Sequence, residues 1–120
     1  MSEQKTMARA EIQGRITTEP KLTRRTTDHV AVCRFKVATE AGPASSPVVK
    51  EIWVLGDPRI RPSEDLPVKV HNKLGIGCLV FVPGVEHQTM RKVRGVRFPV
   101  TVLKAEDVKL REWPQAGGGA

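Results

Sequence analysis

The residues able to do covalent or metal chemistry in this 120-residue chain are few and scattered. A metal site needs several His, Cys or carboxylate ligands converging, yet His29, His71 and His87 lie far apart and neither Cys33 nor Cys78 has a C-x-x-C partner. Glu64 and Asp65 sit together in a proline-rich stretch, where two solvated charges are a simpler reading than a general acid and base. The glycine pair Gly75 and Gly77 precedes an apolar run instead of opening a helix, so it cannot aim helical N–H groups at a phosphate. No G-x-S-x-G, Walker A or G-x-G-x-x-G pattern occurs. We therefore expect neither an enzyme nor a metal or cofactor site. What remains is surface chemistry: Arg34 and Lys36 two positions apart, Trp53, Phe81, and the basic run Arg91, Lys92, Arg94 and Arg97.

Those residues have to be positioned by strands. Residues 30–39 read V-A-V-C-R-F-K-V-A-T, with Ala31, Cys33, Phe35 and Val37 on one face of an extended segment and Val32, Arg34, Lys36 and Ala38 on the other. The first is a core face; the second carries two cations and suits water or an anionic partner. Residues 48–55 alternate in the same way, with Val48, Lys50, Ile52 and Val54 opposite Val49, Glu51, Trp53 and Leu55. If Ile52 and Val54 are core, Trp53 points outward; the opposite assignment, with Trp53 as a large core residue, stays open.

The rest of the chain supplies further strands. Residues 8–16 alternate apolar with charged around Gly14, a position suited to a bulge or bend. Residues 17–29 form a polar, Thr-rich connection carrying Arg24 and Arg25, and residues 40–47, with Gly42, Pro43 and Pro47, form a loop. Three prolines in residues 56–67 exclude a continuous helix before about Val68, leaving one or two turns up to Leu74, with Lys73 among them. Residues 76–82 read as a buried strand ended by Pro83-Gly84, with Val80 and Val82 on one face and Phe81 on the other. Residues 85–103 make a basic hairpin turning at Gly95, and the return strand runs on to Leu110. Five short strands and at most one short helix give a mainly β protein, a five-stranded Greek-key barrel of the OB-fold type. We expect one domain over residues 8–110, with disordered ends at 1–7 and 111–120.

Twenty Lys and Arg against 13 Asp and Glu give a net charge of +7, which favours an acidic partner such as nucleic acid. No apolar run is long enough to span a bilayer and the N-terminus lacks a signal-peptide core, so we expect a cytoplasmic protein with no membrane partner and two buried thiols in place of a disulfide. Single-stranded nucleic acid exposes a charged backbone and flat bases, and a basic groove with stacking rings is what binds it without sequence preference.

The residues also resemble the bacterial single-stranded DNA-binding protein family. The resemblance runs through G-R-I at Gly14, Arg15 and Ile16, E-P at Glu19 and Pro20, V-A-V-C-R-F-K-V-A-T, G-C-L-V-F-V-P-G from Gly77, and T-V-L-K-A-E-D-V-K-L from Thr101. It implies an OB-fold that assembles as a homotetramer, or at least a dimer, and coats single strands in replication, recombination and repair, with replication proteins as further partners. Where the family's third strand carries stacking aromatics, this chain has Val49 and Leu55, with Trp53 on the same face as a substitute; where the fourth-strand hairpin commonly has tryptophan, it has Met90 or Arg91. A proline-rich segment replaces the helix after the third strand, and the acidic C-terminal tip is missing, as in a shortened member. The candidate DNA-binding residues are Arg15, Arg24, Arg25, Arg34, Lys36, Trp53, Lys73, Phe81, Arg91, Lys92, Arg94 and Arg97. The competing reading is an OB-fold accessory module that binds protein, similar to the primosomal OB-fold protein, with weak DNA binding.

Overall fold

The computed structural model describes residues 8–39 and 48–114. The expectations for residues 1–7, for the 40–47 loop and for the end of the tail lie outside them. Among the described residues seven strands, one 3-10 turn at Pro62–Glu64 and one α-helix follow in order: β1 Ala8–Ile16, β2 Lys21–Arg24, β3 Ala31–Thr39, β4 Val49–Leu55, the 3-10 turn, α1 Leu66–Lys73, β5 Leu79–Val93, β6 Val96–Ala105 and β7 Lys109–Glu112. The long strands run side by side as β1-β3-β4-β6-β5, and pairing of β5 with β1 closes them into a barrel. All of these contacts are antiparallel except β4 with β6. The five expected strands are these five; β2 on the edge of β3 and β7 on the edge of β5 are additions.

Alternation decides what each strand buries. Cys33, Phe35 and Val37 of β3, Ile52 and Val54 of β4, Val80 and Val82 of β5 and Leu103 of β6 form one core with Ile16 and Cys78. Both cysteines are free and buried, and burial pushes the Cys33 thiol up to about 11, which keeps it protonated and inert. α1 packs Val70 into the core, with Leu66 and Leu74 against it.

Three sequence expectations are corrected here. The helix begins at Leu66, not at Val68, because Pro67 occupies the first turn, where its missing N–H has no intrahelical acceptor to lose. Nor does β5 stop at Pro83-Gly84; it runs through them for 15 residues. Pro83 faces Glu11 of β1, and on its other edge it falls between the end of pairing with β7 at Phe81 and the start of pairing with β6 at Gly84, where its carbonyl accepts from the Glu106 N–H and its missing donor interrupts neither ladder. Gly84 is buried between β1 and β6, and a Cβ there would collide with the Lys104 carbonyl. The return strand, finally, breaks after Ala105 and resumes as β7, so that residues 109–112, expected partly in a disordered tail, are paired with β5.

Candidate nucleic-acid interface

The outer face of β3 and β4 carries the candidate site. Register places Arg34 opposite Trp53 and Lys36 opposite Glu51, while Lys21 of β2 stands on the other side of Arg34 and Lys104 of β6 on the other side of Trp53. Side chains directly opposite share a face, so three cations surround one half-buried indole. The Arg34 guanidinium lies over the indole, 4.7 Å from the ring centroid, within cation–π range. Alternation does not leave the whole face open: Val32, flanked by Thr23 and Leu55, is buried at one end of it.

Glu51 ties the site together. Trp53 Nε1 donates to its Oε2 at 2.7 Å, and Arg91 of the β5–β6 hairpin donates from Nη1 to Oε1 at 3.0 Å and from Nη2 to Oε2 at 2.9 Å. This bidentate pair joins residues 40 positions apart and fastens the hairpin to the barrel. Beside it lies an open groove of about 250 Å³ lined by Thr18, Lys21, Arg34, Lys36, Glu51 and Arg91, among others. The Arg91 guanidinium holds the Glu51 carboxyl below the usual carboxylate range against the opposing effect of desolvation, with the indole N–H and Lys36 helping. A carboxyl that releases its proton more readily in the folded state stabilises that state above its unfolded pKa, and the contribution is lost as pH falls through the lower, folded value. Acidification well past the ordinary glutamate range is therefore expected to free Trp53 and Arg91, read as a change in Trp53 emission over the steady background of Trp113. The same pH profile in Glu51→Gln would show that another group is titrating.

The expected site residues divide accordingly. Arg34, Lys36, Trp53 and Arg91 are brought together. Lys92 and Arg97 oppose one another on the other face of the hairpin, and Arg94 sits in its turn at φ 53 beside Gly95 at φ 82. Arg15 donates to the Gly77 carbonyl and pairs with Glu112 at 2.8 Å, bracing β7. Phe81 looks out from β5 between Gln13 of β1 and Lys109 of β7, with Arg111 5.1 Å above its ring, away from the β3–β4 face. Arg24 donates to the His29 carbonyl and Arg25 pairs with Asp28 at the β2–β3 turn, while Lys73 ends α1 beside a separate groove lined by Leu66, Val108 and Trp113. Sequence reasoning missed Lys21, Lys104 and Glu51, and also Phe98, which is opposite Arg91 and exposed on the same face. The alternation V-R-F-P-V at residues 96–100 was the available signal for Phe98.

Among the described residues there is no group of three or more His, Cys, Asp or Glu placed to hold a metal ion, and no helix long and apolar enough to cross a membrane. The sequence matches no family profile and no curated protein. Its architecture does match solved structures. The mitochondrial single-stranded DNA-binding protein of S. cerevisiae superposes with a TM-score of 0.65 at 15% identity, covering 89% of this chain and 97% of that one. A second structure of that protein gives 0.64 at 18%, over 92% and 100%. The Plasmodium falciparum single-stranded DNA-binding protein, in complex with single-stranded DNA, gives 0.66 at 17%, over 93% and 100%. At such identities the likeness is one of fold: the chain is an OB-fold protein, mainly β, with the strand plan those proteins share.

Proposed function

We propose that this protein binds single-stranded DNA without strong sequence preference, laying bases on Trp53 and phosphates along Lys21, Arg34, Lys36 and Lys104. The observation that carries this reading is the indole on the outer face of β4, with Arg34 4.7 Å over its ring and lysines on both flanking strands, in a fold shared with two proteins named for that activity. A half-buried tryptophan fixed at its Nε1 and surrounded by cations is a stacking platform, since every base offers a π-face and every phosphate a charge. Assembly of copies into a dimer or tetramer, and service in replication, recombination or repair in the cytoplasm, belong to the same proposal.

Titration of a labelled oligo-dT strand at a series of salt concentrations tests it. Each phosphate contact on a single strand contributes roughly 0.7 to the log–log salt slope, so replacing Lys21, Arg34 and Lys36 together with glutamine is expected to flatten the slope by about two. A slope unmoved by the triple change would remove this face from the binding surface.

A further inference from the structure

An acid in the floor of a cationic groove runs against its surroundings. Glu51 faces Lys36 across the β3–β4 ladder, and its carboxylate is filled by Arg91 and the Trp53 indole. Its side chain is 16% exposed against 37% for Arg91, so the two make a nearly neutral patch of floor, while Lys21, Arg34 and Lys36, together with a second acid, Glu19, line the groove beside it. Arg91, which the sequence marks as a phosphate ligand, is therefore already matched by an anion.

A polyanion can enter such a groove in two orientations. With its bases inward, a flat uncharged ring meets the Trp53 indole, which adjoins the groove through Glu51 and Arg34, and the phosphates follow the flanking cations. With its phosphates inward, it brings negative charge against the Glu51 carboxylate in a partly desolvated site, a like-charge juxtaposition that Arg91 offsets only in part. Only a single strand is free to turn its bases in; a duplex keeps them paired and offers phosphates, and an inorganic polyanion has nothing else to offer.

Resting on the single-strand reading above, we propose that Glu51 is a specificity-determining residue of the groove, the acid of its β4 floor, which disfavours inward-facing phosphate and so selects single strands over other polyanions. It acts with Arg91, whose charge limits the repulsion at close range, and it also holds the indole on which the base lands.

Glu51→Gln keeps the size of the side chain and an acceptor for the indole N–H, and removes the charge. The experiment measures dissociation constants at one salt concentration for oligo-dT, for a blunt duplex carrying as many phosphates, and for inorganic polyphosphate. Affinity for the duplex and for polyphosphate is expected to rise about tenfold and that for oligo-dT at most about threefold, so the preference for the single strand shrinks. Arg91→Gln, which leaves the acid unneutralised, is expected to move the preference the other way, and either variant decides the matter if the other fails to fold. Equal factors for all three probes, or a preference shifted in the same direction by both variants, would overturn the role of Glu51. A wild-type protein that does not bind oligo-dT removes the single-strand reading and this role with it; a wild type that binds oligo-dT, with the preference unmoved in both variants, removes only the role.

Discussion

Replacing Trp53 with alanine is expected to weaken single-strand binding by roughly ten- to a hundredfold, the equivalent of ~1–3 kcal/mol for one lost stacking platform. The melting temperature should change little. Its chain neighbours Ile52 and Val54 are completely buried, so the core keeps its β4 residues when the indole is removed. Around Trp53 the losses are polar and local: Arg34 loses the ring beneath it and Glu51 loses one of three donors but keeps both bonds from Arg91. Protein fluorescence in the wild type should be quenched as DNA is added, and the quenching should be absent from the variant, in which Trp113 is the remaining tryptophan. Normal affinity in Trp53→Ala would take the indole out of the site; a large fall in melting temperature would mean that it supports the core instead.

How much of this could be read from the sequence depends on whether a segment's structure is set by its own residues or by its neighbours. The faces of β3 and β4 follow from side-chain alternation alone, because in each strand one face is apolar enough to have a single way in. The open question of which way Trp53 points is settled by that same alternation: Ile52 and Val54 go in and the indole comes out. β2 could not be read this way. Lys21–Arg24 offers only Leu22 as an apolar residue, and it is a strand because the edge of β3 supplies partners for its backbone. Lys21 was lost from the expected site with it. Pro83-Gly84 misled for the opposite reason: the pair signals a turn in isolation, and here the barrel uses it where β5 exchanges β7 for β6 as its neighbour.

The hairpin cations show the same limit on a finer scale. Arg91, Lys92, Arg94 and Arg97 form one basic cluster in the sequence, but a period of two divides them between faces, and the turn at Arg94 and Gly95 fixes which face each takes. Only long-range register could show that Arg91 meets an acid 40 residues away. Glu51 was overlooked because an acid on a basic face reads as an ordinary solvated charge until its partners are known.

Phe35→Ala is the complement of Trp53→Ala, and it is expected to act on stability. Phe35 lies one residue beyond Arg34, on the opposite face of the same strand; it is 2% exposed and belongs to the cluster that joins β3, β4, β5 and β6 with α1. Truncating a buried phenylalanine removes its transfer energy and leaves a cavity, together ~3–5 kcal/mol. For a domain of about a hundred residues that should lower the melting temperature by more than about ten degrees. Because the proposed contacts to bases and phosphates lie on the other face, DNA affinity measured well below the new melting temperature should fall much less than it does in Trp53→Ala. Charge removal at Arg34 should do the reverse, flattening the salt slope and sparing the melt. Adjacent residues with opposite effects are what a strand wet on one side and packed on the other requires, and a Phe35→Ala protein that melts like the wild type would mean that β3 faces the other way.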